Sequence, residues 1–278
     1  MSHAPPNSLA ARSFWRGAND LSAREWPFRA SRFIRARARQ LLLKALLLVE
    51  DPRVVRAWRQ GWDADHYIQL RRWADNGFWP KVIYDIGAHH GAWSEMAAQI
   101  FQPEQIILFE PHPEHASLLR NRRPPADRSW RVLELGLGAE EQELKLHITR
   151  NSAASSLLPP LAGGKLAGTA VDPVSQRIIR VARLDDLVKG ELLPTPDLVK
   201  IDVQGFELAV LQGGELTFSH ARRLCVEVSL LPIYQGQPLF ADVVTSLKSM
   251  GFRLENATEA FRNWPSPQAQ LDLWCCRD

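Results

Sequence analysis

Three carboxylates in this chain each stand at or near the end of a short apolar run. Asp85 lies in "KVIYDIG" (81–87), Glu110 ends "IILFE" (106–110) and Asp202 ends "LVKID" (198–202). Apolar runs of this length are typical of buried strands in a parallel sheet. The carboxyl ends of such strands meet at one edge, and ligands bind there. The sequence therefore predicts a binding site that contains three carboxylates from three strands.

Two glycines follow the first run, in "GAHHG" (87–91). A dinucleotide-binding fingerprint needs glycine at positions 87, 89 and 92, and the last two positions hold histidine and alanine. Glycine lets a ligand approach the backbone closely because it has no Cβ. The turn formed by Gly87, Ala88 and Gly91 instead suits S-adenosylmethionine, which has no pyrophosphate. Asp85 would then receive the ammonium group of this cofactor.

The other two carboxylates have separate predicted roles. Glu110 can accept both ribose hydroxyls of the cofactor as a bidentate pair. The alternative is a solvent-exposed strand end that serves only as a turn. Asp202 is placed to bind the hydroxyl of an acceptor and to take its proton. The alternative is that Asp202 caps the helix that follows it.

The elements that position these residues alternate between strand and helix. This alternation predicts an α/β fold with a doubly wound, mostly parallel sheet. No helix separates the last two strands, so we expect an antiparallel hairpin at one edge. That is the Rossmann-like layout of a Class I methyltransferase with seven strands. The predicted strands lie at 81–86, 105–109, 130–135, 197–202, 222–228, 252–256 and 271–276, and the helices at 92–101, 113–122, 206–212 and 238–250. Residues 151–172 are predicted to be a mobile loop that covers the substrate.

Charge and composition divide the chain into an arm and a body. Hydrophobic residues make up 45% of the 278 residues, which is enough for a large core. Residues 1–60 carry a net charge of +8, although the whole chain carries only +3. We predict a basic helical arm over 1–79, with an amphipathic helix at 31–49, and a cofactor-binding domain over 80–278. The arm would pack on the body or contact a membrane surface.

The cysteines and the N-terminus favour a cytoplasmic protein. The three cysteines form no CxxC pair, which argues against a disulfide framework or a zinc site built on cysteine. Residues 1–30 contain no apolar core of a signal peptide.

Several segments together carry a resemblance to a known family. "DIGAHHG", "FEP", "SAASSLLP", "ARLDDL", "LVKIDVQGFELAVLQGG" and "EVSLLPIYQGQPLFADVVTSLKSMGF" occur in this order. The set resembles the FkbM family of S-adenosylmethionine-dependent methyltransferases over about residues 80–276. The resemblance implies a Class I fold and methylation of a hydroxyl on a sugar, a glycan or a polyketide-type natural product.

The resemblance also implies roles for individual residues. The cofactor motifs match at Asp85, Gly87, Gly91 and Glu110, the paired serines at Ser155 and Ser156, and the motif after the fourth strand at Asp202, Gly205 and Glu207. Glu207 would take part in catalysis or substrate binding, or hold the turn. Ser156 would order the loop over the cofactor. Two positions depart from the family pattern: His89 replaces the usual Asn, and Gln204 replaces a frequent Glu.

Other residues are candidates for the acceptor site or for a metal. Tyr234, Trp93 and Gln204 are predicted to contact the acceptor, and the indole would stack on a sugar face. The alternative for Tyr234 is a packed turn. Imidazoles in one cleft can share an ion, but the spacing of His89, His90, His112 and His115 follows no known ligand motif, so no metal is predicted. Asp202 and Glu227 remain a second option for a divalent ion.

These observations predict an S-adenosylmethionine-dependent O-methyltransferase with a carbohydrate or similar hydroxylated acceptor, and they predict no nucleic-acid partner. Two alternatives remain. One is an RNA methyltransferase that grips phosphates with the basic arm. The other is a non-catalytic scaffold that has kept the fold.

Overall fold

The computed structural model describes residues 54–122, 129–161, 171–191, 193–260 and 270–277. The chain divides into two compact units, Met1–Gly61 and Trp62–Asp278. The boundary predicted after residue 79 stays a prediction. The predicted basic helix at 31–49 lies outside the described residues. In the first unit the structure describes one helix, α1 (Val54–Gln60).

The second unit is built on a seven-stranded sheet. Its strands are β1 (Val82–Ile86), β2 (Gln105–Phe109), β3 (Ser129–Leu133), β7 (Leu198–Ile201), β8 (Arg223–Ser229), β9 (Arg253–Glu259) and β10 (Gln270–Cys276). They lie in the order β3-β2-β1-β7-β8-β10-β9. The five strands from β3 to β8 run parallel, and β10 runs antiparallel to both of its neighbours. This topology confirms the predicted fold class, including the antiparallel edge hairpin.

The central strands are apolar along their length because both faces of the sheet are covered. Ile107, Val199 and Leu224 come from three of these strands, and each is fully buried. The helices of this unit are α2 (Ala64–Asp75), α3 (Ala92–Phe101), α4 (Pro113–Asn121), α5 (Leu184–Glu191), α6 (Glu207–Gly213), α7 (Glu215–Phe218) and α8 (Phe240–Ser249).

Helix α2 packs against the last strand of the sheet, β10. Its Trp73 packs edge-on against Trp274 of β10, with ring centroids 5.5 Å apart. Its His66 makes a buried ion pair with Asp272 of the same strand, with 2.9 Å between Nε2 and Oδ2. Asp63 begins the helix by accepting hydrogen bonds from the first-turn backbone amides.

A small second sheet was not predicted. It consists of β4 (Gly136–Gly138), β5 (Gln142–Thr149) and β6 (Pro173–Arg183), in the order β4-β6-β5. Leu146, Ile179 and Val181 form its buried apolar cluster. Of the predicted loop at 151–172, residues 162–170 lie outside the described residues. The part before them includes a 3₁₀ turn, Ser152–Ala154.

Within the described part of the chain, no helix is both long enough and apolar enough to cross a membrane.

Candidate functional site

The sheet order brings the three predicted carboxylates to one edge. Strands β2, β1 and β7 are neighbours, and Glu110, Asp85 and Asp202 stand at or just beyond their carboxyl ends. The ammonium of Lys200 lies between two of them. Its Nζ is 3.1 Å from Asp202 Oδ2 and 3.8 Å from Asp85 Oδ1. Asp85, Lys200 and Asp202 therefore form a row of alternating charges across the ends of β1 and β7.

Asp85 is fully buried and only half satisfied. Its Oδ2 accepts a 2.6 Å hydrogen bond from the Ser94 hydroxyl. Its Oδ1 is buried and has no hydrogen-bond partner among the described residues. Burial raises the pKa of Asp85, and Lys200 and Ser94 pull that pKa partly back down. The Lys200 ammonium, 3.8 Å from this oxygen, partly compensates its charge, and its contact with the ammonium of the cofactor stays a prediction.

The glycines of the turn after β1 are required by the protein's own packing. Gly87 has φ +81°, and a Cβ built there would lie 1.9 Å from the backbone oxygen of Asp202. Gly91 has φ +77°, and its Cβ would lie 2.7 Å from Leu119 Cδ2. The Gly87 and Ala88 amides both donate to the backbone oxygen of Phe109, at 2.9 and 3.2 Å. The turn thus joins the tips of β1, β2 and β7 closely.

Glu110 is held in place by backbone amides. The His89 amide donates to its Oε2 at 2.6 Å, and the His112 amide donates to its Oε1 at 2.8 Å. The residue is only 5% exposed. Burial raises the pKa of Glu110 to about 7, against the lowering effect of these two hydrogen bonds. A carboxylate has about four acceptor positions, so about two remain for hydroxyl groups of a ligand.

Asp202 is the most accessible of the three carboxylates, with 28% of its side chain exposed. Burial raises its pKa, but Lys200 and the amide of Gln204 outweigh that effect, so the pKa lies below its usual value. The same pairing acts on Lys200. Burial lowers its pKa, but the carboxylates of Asp202 and Asp85 outweigh burial, so the pKa lies above its usual value. Asp202 is therefore ionised at neutral pH and faces a partly open space.

Gln204 connects Asp202 to a second, buried carboxylate. Its Nε2 donates to Asp202 Oδ1 at 2.8 Å and to Glu227 Oε2 at 2.6 Å. The same Oε2 also accepts from Gln270 Nε2 at 2.7 Å. Burial and the neighbouring acids Asp202 and Asp272 raise the pKa of Glu227 well above its usual value. A glutamate at position 204 has no amide hydrogens to donate to both carboxylates, so the departure from the family pattern fits its surroundings.

The predicted acceptor-binding aromatics are packed side chains in the structure. Tyr234 is 1% exposed, and its hydroxyl donates to the backbone oxygen of Ala154 at 2.7 Å. Trp93 of α3 is 8% exposed, and its Nε1 has no partner among the described residues. Such burial leaves little aromatic surface for stacking on a sugar. Their contact with an acceptor stays a prediction, whereas their packing role is visible.

Ser156 and Glu207 also support the site rather than face it. Ser156 is buried, and its hydroxyl donates to the backbone oxygen of Gln204 at 2.6 Å. Glu207 is 2% exposed, and its Oε1 accepts from the Gly205 amide at 2.8 Å. Burial raises the pKa of Glu207 to about 7. These contacts favour the turn-holding role of Glu207, and its catalytic role stays a prediction.

Four histidines gather beside Glu110. The ring of His89 lies 3.8 Å from that of His90 and 4.4 Å from that of His115, between centroids. His112 stacks on His115 at 4.2 Å. Burial lowers the pKa of His89 to about 4 and that of His115 to about 3. The imidazoles of these two residues are therefore neutral at pH 7.

No role was predicted from the sequence for three residues that contact these carboxylates: Lys200, Ser94 and Gln270. Lys200 could have been noticed, because it is a lone charge inside an apolar run. Ser94 lies at an ordinary helix position, and Gln270 lies 66 residues beyond Gln204, to which it is linked through Glu227, so no sequence pattern indicates either residue.

Two named relatives match a little over half of the chain. The 2-O-methyltransferase NoeI of Sinorhizobium fredii is 28% identical over 165 residues, which cover 56% of this chain and 66% of the relative. The hexuronic acid methyltransferase AglP of Haloferax volcanii is 24% identical over 148 residues, which cover 53% and 55%. The matched part thus spans less than two thirds of the length of these relatives.

Two solved structures are among those similar to this chain, both with TM-scores below 0.5. The FkbM methyltransferase from Methylobacillus flagellatus KT has a TM-score of 0.47 and 16% identity, over 70% of this chain and 43% of that chain. Magnesium protoporphyrin IX methyltransferase (ChlM) from Synechocystis PCC 6803, solved with bound S-adenosylmethionine, has a TM-score of 0.46 and 13% identity, over 81% and 82%.

Residues 85–254, more than half of the chain, match the Methyltransferase FkbM domain. This range contains Asp85, Glu110 and Asp202 together with the turns that hold them. The cofactor is S-adenosylmethionine. The chain belongs to the FkbM methyltransferase family.

Proposed function

We propose that this chain is an O-methyltransferase that acts on a hydroxyl of a sugar, a glycan or a related natural product. One observation carries the proposal: Asp202 is the accessible carboxylate of the three, and Asp85 and Glu110 lie buried beside it. The names of the two relatives, a 2-O-methyltransferase and a hexuronic acid methyltransferase, support a carbohydrate acceptor.

Two buried carboxylates fit the cofactor. Asp85 has an oxygen without a hydrogen-bond partner among the described residues, 3.8 Å from Lys200 Nζ, and we assign it to the ammonium of the methionine part. Glu110 has acceptor positions left for the ribose hydroxyls, and two backbone amides fix its orientation. Bound S-adenosylmethionine supplies an electrophilic methyl group. The turn that holds it is fixed before binding, so little ordering is needed when the cofactor arrives.

Asp202 would orient the acceptor hydroxyl and receive its proton. Its lowered pKa makes it a weak base for a free alcohol. The hydroxyl becomes strongly acidic as its oxygen bonds to carbon, so a weak base suffices late in the reaction. Lys200 and Gln204 bind one carboxylate oxygen each, at 3.1 and 2.8 Å, and so fix the direction of the remaining lone pairs.

The RNA methyltransferase and scaffold alternatives stay predictions. Residues 1–53, which contain the predicted basic helix of the arm, lie outside the described residues. The membrane contact of that arm also stays a prediction.

Purified protein with S-adenosylmethionine and a panel of neutral hexoses, hexuronic acids and their glycosides tests the proposal. We expect S-adenosylhomocysteine to form together with an acceptor that carries one added methyl group. Mild alkali then separates two linkages, because it cleaves a methyl ester on a uronic acid carboxyl but not a methyl ether. A product that survives alkali supports transfer to a hydroxyl. An alkali-labile product would contradict it, and so would transfer to RNA but to no sugar.

A further inference from the structure

We propose that the imidazoles of His89, His90 and His115 form a binding site for a divalent transition-metal ion of the zinc type. One potential ligand nitrogen from each ring lies within 4.8 Å of those of the other two. Imidazole is a preferred ligand of zinc, nickel and copper ions. Three imidazoles with an open fourth position are an established donor set for zinc.

The geometry needs only a small adjustment to hold an ion. A tetrahedral zinc ion with bonds of ~2.0–2.1 Å places its ligand nitrogens ~3.4 Å apart. Rotation of the exposed His90 side chain, with small shifts of the other two rings, would bring the nitrogens from within 4.8 Å to this spacing. His90 also leaves a route for the ion from solvent. His89 is half-buried and His115 is buried, so these two rings have less freedom to move.

Polar groups lie beside two of the three rings. The Ser152 hydroxyl lies 2.9 Å from His89 Nε2. Glu110 Oε1 lies 3.9 Å from His115 Nδ1. Hydroxyl and carboxylate partners of this kind orient ligating imidazoles in metal sites. The two rings come from different elements, the turn after β1 and helix α4, so an ion here would link the two elements.

The fourth ring and the second candidate cluster are less suited to an ion. His112 Nδ1 accepts a hydrogen bond from the Glu114 amide at the start of α4, so that nitrogen is engaged. The cluster of His66, Cys225 and Asp272 is buried throughout, and His66 already pairs with Asp272. The imidazoles of His89, His90 and His115, which reach solvent through His90, therefore form the proposed site.

Calorimetric titration of the untagged full chain, freed of metal with a chelator, tests the site with Zn²⁺. We expect micromolar or tighter binding of one ion at this site. His90→Ala should weaken that binding at least tenfold, because one of three ligands is lost. The matched control is His220→Ala, which removes another exposed imidazole and should leave the affinity unchanged.

His89→Asn provides a second variant that keeps the backbone. His89 has φ +49°, and asparagine tolerates this left-handed conformation. Circular dichroism and a melting curve establish that each variant folds. Titration with Co²⁺ adds a direct readout, because a visible absorption band of tetrahedral cobalt should appear in the wild type and fade in both variants. Unchanged Zn²⁺ affinity in both variants, or no binding by the wild type, would overturn the proposal.

Discussion

The candidate site at the carboxyl ends of the strands has two halves, one at β1 and β2 and the other at β7 and β8. The residues of the two halves are held in place in different ways. At the ends of β1 and β2, backbone amides hold Glu110, and glycines with positive φ hold the turn. At the ends of β7 and β8, side chains hold each other. Asp202, Gln204 and Glu227 are linked by amide–carboxylate hydrogen bonds, and Gln270 joins them from β10.

The difference matches what each half is proposed to recognise. A cofactor is the same in every turnover, so a rigid backbone turn suits it. An acceptor varies between members of a family, and a network of side chains can change by substitution without disturbing the sheet. We therefore expect variants of the first half to affect cofactor binding, and variants of the second half to affect transfer and acceptor affinity.

The largest effect is expected for Asp202→Asn in the second half. The substitution keeps the size of the side chain and removes the base, so transfer should slow by ~10²–10⁴-fold. Binding of S-adenosylhomocysteine, measured by calorimetry, should be retained. Asp186→Asn is the control, since Asp186 is an exposed carboxylate. Equal turnover by the Asp202 and Asp186 variants would remove the proposed role.

Gly87→Ala should strongly destabilise the first half. The added Cβ would meet the Asp202 backbone oxygen at 1.9 Å, and neither strand tip can move without disturbing the sheet. We expect a loss of about 3–5 kcal/mol in the free energy of unfolding, measured with urea. Gly77→Ala is the control that has the unfavourable backbone conformation without the clash. Gly77 has φ +82°, and a Cβ built there meets nothing within 4 Å, so only about 1–2 kcal/mol of the free energy of unfolding should be lost. Similar losses at both positions would contradict the packing argument.

Glu207→Gln should change how stability depends on pH. The pKa of Glu207 is about 7 in the folded protein, raised by burial from 4.5. Between these values the folded state binds more protons than the unfolded state, so stability falls as pH rises through the window. Glutamine can still accept from the Gly205 amide and does not titrate. Melting curves at pH about 5 and about 8 should show a decline that is smaller in the variant by about 1–3 kcal/mol. An identical decline in both proteins would show that a group other than Glu207 causes the pH dependence.

Tyr234→Phe should have the smallest effect on stability. It removes the hydroxyl that donates to the Ala154 backbone oxygen and lies 3.3 Å from Gln204 Oε1. We expect a loss of about 1 kcal/mol together with a raised KM for the acceptor. Tyr84→Phe is the matched control, because its hydroxyl donates to Pro194 at 2.7 Å in the interior. It should lose similar stability without a change in KM. Equal KM values for both variants would show that Tyr234 does not influence the acceptor site.

The sequence revealed the first half better than the second. Asp85, Gly87 and Gly91 lie within seven residues, and Glu110 follows the next strand, so local patterns were enough. The tightness of the turn was not visible, because the atom that excludes a Cβ at Gly87 belongs to Asp202, 115 residues later.

The second half depends on contacts between distant segments. Ser156 reaches the backbone of Gln204, and Tyr234 reaches that of Ala154. Contacts between residues so far apart in the sequence leave no periodic pattern that would predict them. The sheet of β4, β5 and β6 had a weak signal, since Leu144, Leu146 and Ile148 alternate along β5, but the exposed residues of β6 hid its partner.

Calorimetric titration with S-adenosylhomocysteine tests the central claim most directly, with the wild type beside Glu110→Ala. The exposed Glu140→Ala is the control, because it removes a carboxylate that makes no part of the site. We predict micromolar binding by the wild type and by Glu140→Ala, and binding weaker by ~1–3 kcal/mol in Glu110→Ala through the loss of charged hydrogen bonds. No binding by the wild type, or equal binding by Glu110→Ala, would contradict the assignment of this edge to the cofactor.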